Sequence, residues 1–182
     1  MAISADDRAK LICLARNAVE IEVLHSAAPR PEKLTGILAE RLGCFVTLTN
    51  ADRLRGCIGT FQPTQPLGEM IVEMGRAAAH DPRFVMDPIT PDELGQLTVE
   101  VSVLSQLQET AEPAKLTVGL HGIYIVSRRG AGCFLPEVAA EMEWSAEEFL
   151  RQCCQSKAHL PGDAWRDPQT KVYLFTSDKF DH

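Results

Sequence analysis

The segment that most constrains this chain is Leu97 to Leu104, LTVEVSVL, in which Leu97, Val99, Val101 and Val103 alternate with Thr98, Glu100 and Ser102. Successive side chains of a strand point to opposite faces, so this strand sets one face in a core and leaves the other polar. Such a strand does not suit the middle of a parallel sheet, which is buried on both sides. The other strand candidates, 44–49, 54–58, 123–127 and 171–176, are spaced too unevenly for regular βαβ units. The reading is therefore an α+β fold, a mixed, largely antiparallel sheet covered by helices. With 182 residues and 45% of them hydrophobic, the chain can bury roughly 70% of its unfolded surface and needs no disulfide or structural metal to form a core.

Helix signals lie between these strands. Ser4 is a cap with Asp6 and Asp7 in the first turn, followed by a stripe of Leu11, Cys13, Leu14, Ala18, Ile21 and Leu24 that ends before Pro29 and Pro31. Residues 30–42 read as either a short helix or a loop. Cys44 to Thr49, the turn Asn50-Ala51-Asp52 and Leu54 to Ile58 form the best hairpin candidate. Leu67, Met70, Ile71 and Met74 mark the apolar face of a helix running to Ala79, and His80 to Phe84 forms its exit. Thr90-Pro91-Asp92-Glu93 and Ser145 with Glu148 are capping boxes, the second opening a helix of about 14 residues. Arg128 to Gly132 reads as an exposed turn. No repeat or long linker demands two independent domains, so 1–182 is expected to be one domain, with any small subdomain undelimited.

The charge balance, 18 Lys and Arg against 25 Asp and Glu for a net −7, argues against a general nucleic-acid binder. The acidic N-terminal stretch lacks the pattern of a signal peptide, and no apolar run is long enough to span a membrane; a cytoplasmic location is expected. The six cysteines include no CxxC pair, so neither a redox motif nor a zinc knuckle is indicated. In a helix, the adjacent Cys153 and Cys154 are expected to be one buried and one exposed thiol. No HExxH spacing or closely spaced histidine pair points to a metal, and no glycine-rich phosphate loop to a nucleotide.

Chemistry concentrates in Arg53-Leu54-Arg55-Gly56-Cys57-Ile58-Gly59-Thr60. As a regular strand it places Arg53, Arg55 and Cys57 on one face. Two cations beside a thiol favour a thiolate, and Gly56 and Gly59 permit close approach of a ligand. The same residues also fit a bulge and a small core filler, and both readings stay open. A nucleophilic Cys57 needs a proton acceptor, for which His80 and His121, both at element boundaries, are the candidates. Asp81 and Arg83 flank Pro82 and could order a ligand or pair with each other.

LRGCIGTF at Leu54 to Phe61, DPRF at Asp81 to Phe84, VEVSVL at Val99 to Leu104, GLHGIYI at Gly119 to Ile125 and FLPEVA at Phe134 to Ala139 stand in the order seen in the AMMECR1 family. The chain resembles that family from about Asp6 to Phe180. The resemblance implies an α+β fold with a larger and a smaller lobe, and a cleft to which Arg55, Gly56, Cys57, Gly59, Asp81, Arg83 and Glu137 contribute. It implies no particular cofactor or reaction. Microbial relatives are associated with extradiol-dioxygenase-like and radical S-adenosylmethionine companion proteins, and eukaryotic ones with regulatory or interaction roles. Two functions follow as expectations: a small-molecule protein acting through Cys57, or a non-catalytic binding or interaction protein working beside companion enzymes.

Overall fold

The computed structural model describes residues 3–27 and 34–181. Its elements in chain order are α1 (Ala5–Val23), β1 (Cys44–Asn50), β2 (Arg53–Thr60), α2 (Leu67–Ala79), β3 (Leu97–Leu104), β4 (Gln108–Glu109), β5 (Gly122–Ser127), β6 (Gly130–Phe134), α3 (Pro136–Glu141), α4 (Ala146–Gln152), β7 (Lys171–Phe175) and β8 (Ser177–Asp181), joined in places by short 3-10 turns. The fold is α+β, with antiparallel sheets flanked by helices, as the strand pattern implies. Two compact units divide the chain, Met1–Leu104 with Asp178–His182, and Ser105–Ser177.

The first unit holds a four-stranded sheet of order β2-β1-β3-β8. β1 pairs antiparallel with both β2 and β3. The hairpin between β1 and β2 turns through Ala51 and Asp52, with φ of 46° and 64°. Positive φ at both central residues is the backbone of the tight turn that matches strand twist. Val46, Leu48, Val99, Val101 and Val103 are buried beneath α1 and α2 together with Leu67, Met70, Ile71 and Met74. Ser4 caps α1, its hydroxyl accepting the Asp7 N–H at 3.1 Å.

The α1 stripe is rotated from the expected one. Leu11, Ile12, Ala15, Ala18 and Val19 are buried, whereas Cys13 is exposed and Leu24 lies beyond the helix, 53% exposed. Apolar residues occur on more than one side of α1, so periodicity alone does not select its inner face. Pro29, Pro31 and the start of the 30–42 segment lie outside the described residues; Gly36–Ala39 forms a 3-10 turn.

The second unit holds a four-stranded sheet of order β4-β7-β5-β6, with β5 antiparallel to β6 and β7. Ile123, Ile125, Val172, Phe149 and Leu150 build its core, and Phe134 stacks on Phe149 with centroids 5.7 Å apart. Two expectations are corrected in this unit. Gly130 to Gly132 belongs to β6, leaving Arg128 and Arg129 as the turn. Cys153 and Cys154 are both fully buried, because α4 passes at Cys153–Lys157 into a π-helical turn with an i to i+5 bond from Ala158 N–H to the Cys153 carbonyl at 3.0 Å. That wider turn advances less per residue, so two consecutive side chains face inward. Burial pushes the Cys153 thiol up above its usual range.

Candidate functional site

The Cys57 strand is not regular. Leu48 lies opposite Gly56 and Thr49 opposite Leu54, so Arg55 is an unpaired extra residue in β2. This is a β-bulge, which reverses the side-chain alternation upstream of it. Cys57 therefore shares a face with its cross-strand partner Thr47, which in turn lies opposite Glu100 on β3. The expected common face of Arg53, Arg55 and Cys57 is overturned.

Arg55 is 3% exposed, and its guanidinium is committed to protein partners. Its Nε and Nη2 donate to the two oxygens of Glu93 at 3.0 Å each, Nη1 to Asp87 at 3.0 Å, and Nη2 also to the Pro88 carbonyl at 3.1 Å. Arg53 pairs with the same Asp87. The bidentate bond from Arg55 holds the Glu93 carboxyl below its usual range, while partial burial opposes the shift. Glu93 additionally accepts the Thr90 N–H at 3.1 Å, so the capping residue also anchors the bulge. Arg55 thus fixes backbone and leaves little free to meet a thiolate or a ligand.

The DPRF turn meets the same strand from outside. β2 is an edge strand, with outward amide and carbonyl groups that need partners. Asp81 Oδ2 accepts the Cys57 N–H at 2.9 Å, and Arg83 Nη2 donates to the Cys57 carbonyl at 3.1 Å. The two side chains also bond each other, Arg83 Nη2 to Asp81 Oδ2 at 2.5 Å. An ion pair thus stands in for a neighbouring strand at one residue. The Arg83 guanidinium, with help from the Cys57 and Arg83 amides, holds the nearly buried Asp81 carboxyl down at about 2 against the opposing effect of burial.

The two motif glycines are explained by packing. A Cβ on Gly56 would lie 2.1 Å from the Ala78 carbonyl oxygen at the end of α2, and one on Gly59 would lie 2.3 Å from the Phe45 ring. The space they save is filled by the protein itself, contrary to the expectation that it opens the backbone to a ligand.

Cys57 is half-buried. The Thr47 hydroxyl donates to its sulfur at 3.2 Å, and the half-exposed Arg83 guanidinium reaches the same residue through its bond to the Cys57 carbonyl. Of the candidate histidines, His80 is engaged elsewhere. His80, at the end of α2, sets Nε2 3.3 Å from Glu22 and is 54% exposed. His121 belongs to the second unit, where its Nδ1 accepts the Thr117 N–H at 3.0 Å. Glu137 lies in the first turn of α3, also in the second unit. His182 is outside the described residues. Among the described residues, no three His, Cys, Asp or Glu side chains gather as metal ligands would, and no helix is long and apolar enough to cross a membrane.

Sequence reasoning missed Thr47, Asp87 and the second role of Glu93. Counting back from the Ala51-Asp52 turn puts Gly56, not Cys57, opposite Thr47; only the bulge brings the hydroxyl to the sulfur. The capping-box acid of Thr90-Pro91-Asp92-Glu93 is visible in the sequence, but nothing there signals its second bond 38 residues away.

Fold and site together define a two-unit α+β protein with a cysteine strand bolted at its open edge by an Asp–Arg turn. The chain belongs to the AMMECR1 family, whose model matches residues 12–180. It is 44% identical over 183 residues to protein TK0174 of Thermococcus kodakarensis, covering 94% of this chain and 88% of that protein. A Methanothermobacter thermautotrophicus protein is 39% identical over 186 residues, covering 98% and 95%. The crystal structure of protein PH0010 from Pyrococcus horikoshii superposes with a TM-score of 0.82 at 37% identity, covering 94% of this chain and 89% of that one.

Proposed function

We propose that this protein captures a small electrophilic molecule at Cys57. The observation that carries the reading is what the strand leaves over. Arg55, Gly56, Gly59 and Asp81 each have a structural duty, whereas the half-buried Cys57 thiol is bounded by a hydroxyl donor and by the partly exposed Arg83. A guanidinium beside sulfur balances the charge that develops when a thiol loses its proton. The cation assigned to the thiol is thus Arg83 rather than Arg55.

The simplest balanced step is conjugate addition to an unsaturated carbonyl compound. The thiol proton passes to water, the sulfur lone pair forms a bond to the β-carbon, and the displaced π pair moves to the carbonyl oxygen as an enolate. Protonation of the α-carbon completes the adduct, and reversal releases it. No oxidant or leaving group is required.

Site-resolved alkylation of the native protein by iodoacetamide tests this reading, with peptide mass spectrometry as readout. Cys57 is expected to react faster than the more exposed Cys13, and Arg83→Gln to slow Cys57 alone. Equal or slower reaction of Cys57 overturns the proposal.

A second reading, a non-catalytic interaction protein, is favoured by Val85 and Met86, which stand 74% and 92% exposed immediately after the DPRF turn. Two adjacent exposed apolar side chains beside an ordered turn suit contact with a partner protein. In that case Cys57→Ser leaves partner capture intact, whereas Val85→Ser with Met86→Ser abolishes it.

A further inference from the structure

The second unit contains a cavity of about 650 Å³ lined by residues from 109–113, 128 and 165–172. Its volume falls in the range of small-molecule sites, roughly 300–1,000 Å³. We propose that it binds a small organic anion bearing a flat ring, such as an aromatic carboxylate or a nucleoside monophosphate.

Three cations line the cavity, Arg128, Arg166 and Lys171. Lys171 Nζ bonds Glu109 at 2.9 Å and Arg166 bonds Glu147 at 3.0 Å, but all four side chains are more than half exposed. Exposed pairs of that kind are weak, so an incoming anion displaces either carboxylate at small cost. Arg128 has no acidic partner among the described residues. The lining holds two acids: Glu109, paired with Lys171, and Asp167, whose Oδ1 accepts the Gln169 N–H at 2.9 Å.

The turn that presents Arg128 is ordered. The Ser127 hydroxyl accepts the Arg129 N–H at 3.1 Å and donates to the Gly130 carbonyl at 3.3 Å. Gly130 in turn sits so close to the Ala158 carbonyl that a Cβ would fall 2.1 Å from it. An exposed guanidinium with no acidic partner among the described residues, carried on an ordered turn in a cavity's lining, is suited to receive an anion.

The rest of the lining suits a flat ring. Pro113, Pro168, Val172 and Trp165 supply apolar surface, and the Arg166 guanidinium lies over the Trp165 ring at 4.6 Å from its centroid. In a chain of net charge −7, this local cluster is what permits an anion to approach at all.

Fluorescence titration of the whole chain tests the site. In a Trp144→Phe background that isolates Trp165, adenosine monophosphate or anthranilate is expected to change emission saturably at concentrations up to about 1 mM, a modest affinity for a site of this exposure. Arg128→Gln should weaken binding by about tenfold or more, equivalent to about 1.4 kcal/mol, with an unchanged thermal transition. If Trp144→Phe unfolds the protein, calorimetric titration of the wild-type chain and Arg128→Gln gives the same comparison. The absence of saturable binding by either ligand overturns the proposal, as does binding that Arg128→Gln leaves unaltered. Binding of inorganic phosphate as tightly as the ring-bearing anions would also overturn it, because the apolar lining would then play no part.

Discussion

Each unit carries a sheet-edge strand with the pair Gly-Cys, Gly56-Cys57 in β2 and Gly132-Cys133 in β6, and the two thiols differ sharply. In both strands the glycine accepts main chain against one face: Ala78 beside Gly56, and Lys157 and Ala158 beside Gly132. In both, the cysteine shares its face with a cross-strand neighbour, Thr47 for Cys57 and Tyr124 for Cys133. Burial pushes the Cys133 thiol up to about 11, with Lys157 only partly opposing it, so it stays protonated at neutral pH. Cys57 instead has a hydroxyl donor and Arg83 beside it. Both cysteines are half-buried, so what distinguishes the same dipeptide in the two strands is the set of groups beside the sulfur.

The glycines give the largest expected effect on which this comparison can be broken. Gly56→Ala and Gly130→Ala each drive a methyl to 2.1 Å from a carbonyl oxygen of the helical segment above. Each should cost about 3 kcal/mol in urea unfolding, at the upper end of overpacking effects, whereas Gly95→Ala, with no atom within 4 Å, should fall within about 0.5 kcal/mol of wild type. A neutral Gly56→Ala would show that α2 does not press on this strand.

The ionic bolt is next. Asp81 titrates at about 2 instead of an ordinary 3.8, which corresponds to about 2 kcal/mol of stability. A depressed folded-state value means that this contribution is fully present above the ordinary value and disappears as pH falls through the folded one, here from about pH 5 toward 2. Asp81→Asn should therefore lower stability at pH 7 and flatten its dependence over that acid window. An unchanged acid slope in the variant would remove Asp81 from the account. Gly130→Ala removes no carboxylate and should leave the acid slope as it is.

The smallest effect sharpens the thiol comparison. Thr47→Val removes the donor to Cys57 while keeping the side-chain shape, and should alter the Cys57 alkylation rate by about threefold, the kinetic equivalent of a hydrogen bond of about 0.6 kcal/mol. Cys133 should be slow in both proteins. Identical Cys57 rates with and without the hydroxyl would leave Arg83 as the neighbour that matters.

What the sequence reveals here follows from how local each cause is. The strand at Leu97 to Leu104, the Asn50-Ala51-Asp52 turn and the Ser4 and Ser145 caps are determined within a few residues and are found where the pattern puts them, although Ser102, on the polar face of that strand, is buried. β4, β6, β8 and α3 lie outside the elements that the sequence pattern indicates. β4 is only two residues long, and β6 begins with Gly130-Ala131-Gly132, whose composition signals a turn until the π-helical segment that needs those glycines is known. At the candidate site the motif blocks were legible as important, but their division of labour was not. Arg55 looks like a ligand-binding cation in sequence, and only the bulge, with Glu93 and Asp87 brought from over 30 residues away, makes it a buried tie. His80 looks like a base for Cys57 until α2 is seen to aim it at Glu22.

The double employment of Glu93 bears on the order in which the first unit assembles. Its bond to the Thr90 amide closes over three residues, whereas its bonds to Arg55 close over 38. The short loop forms at little entropic expense, and the long one gains its enthalpy only after both ends have been brought together. The carboxylate is thus held ready by a local turn before the hairpin arrives, and the β2 bulge locks when the two meet. Folding of this sheet resembles a latch whose catch is set first and whose bolt slides home last.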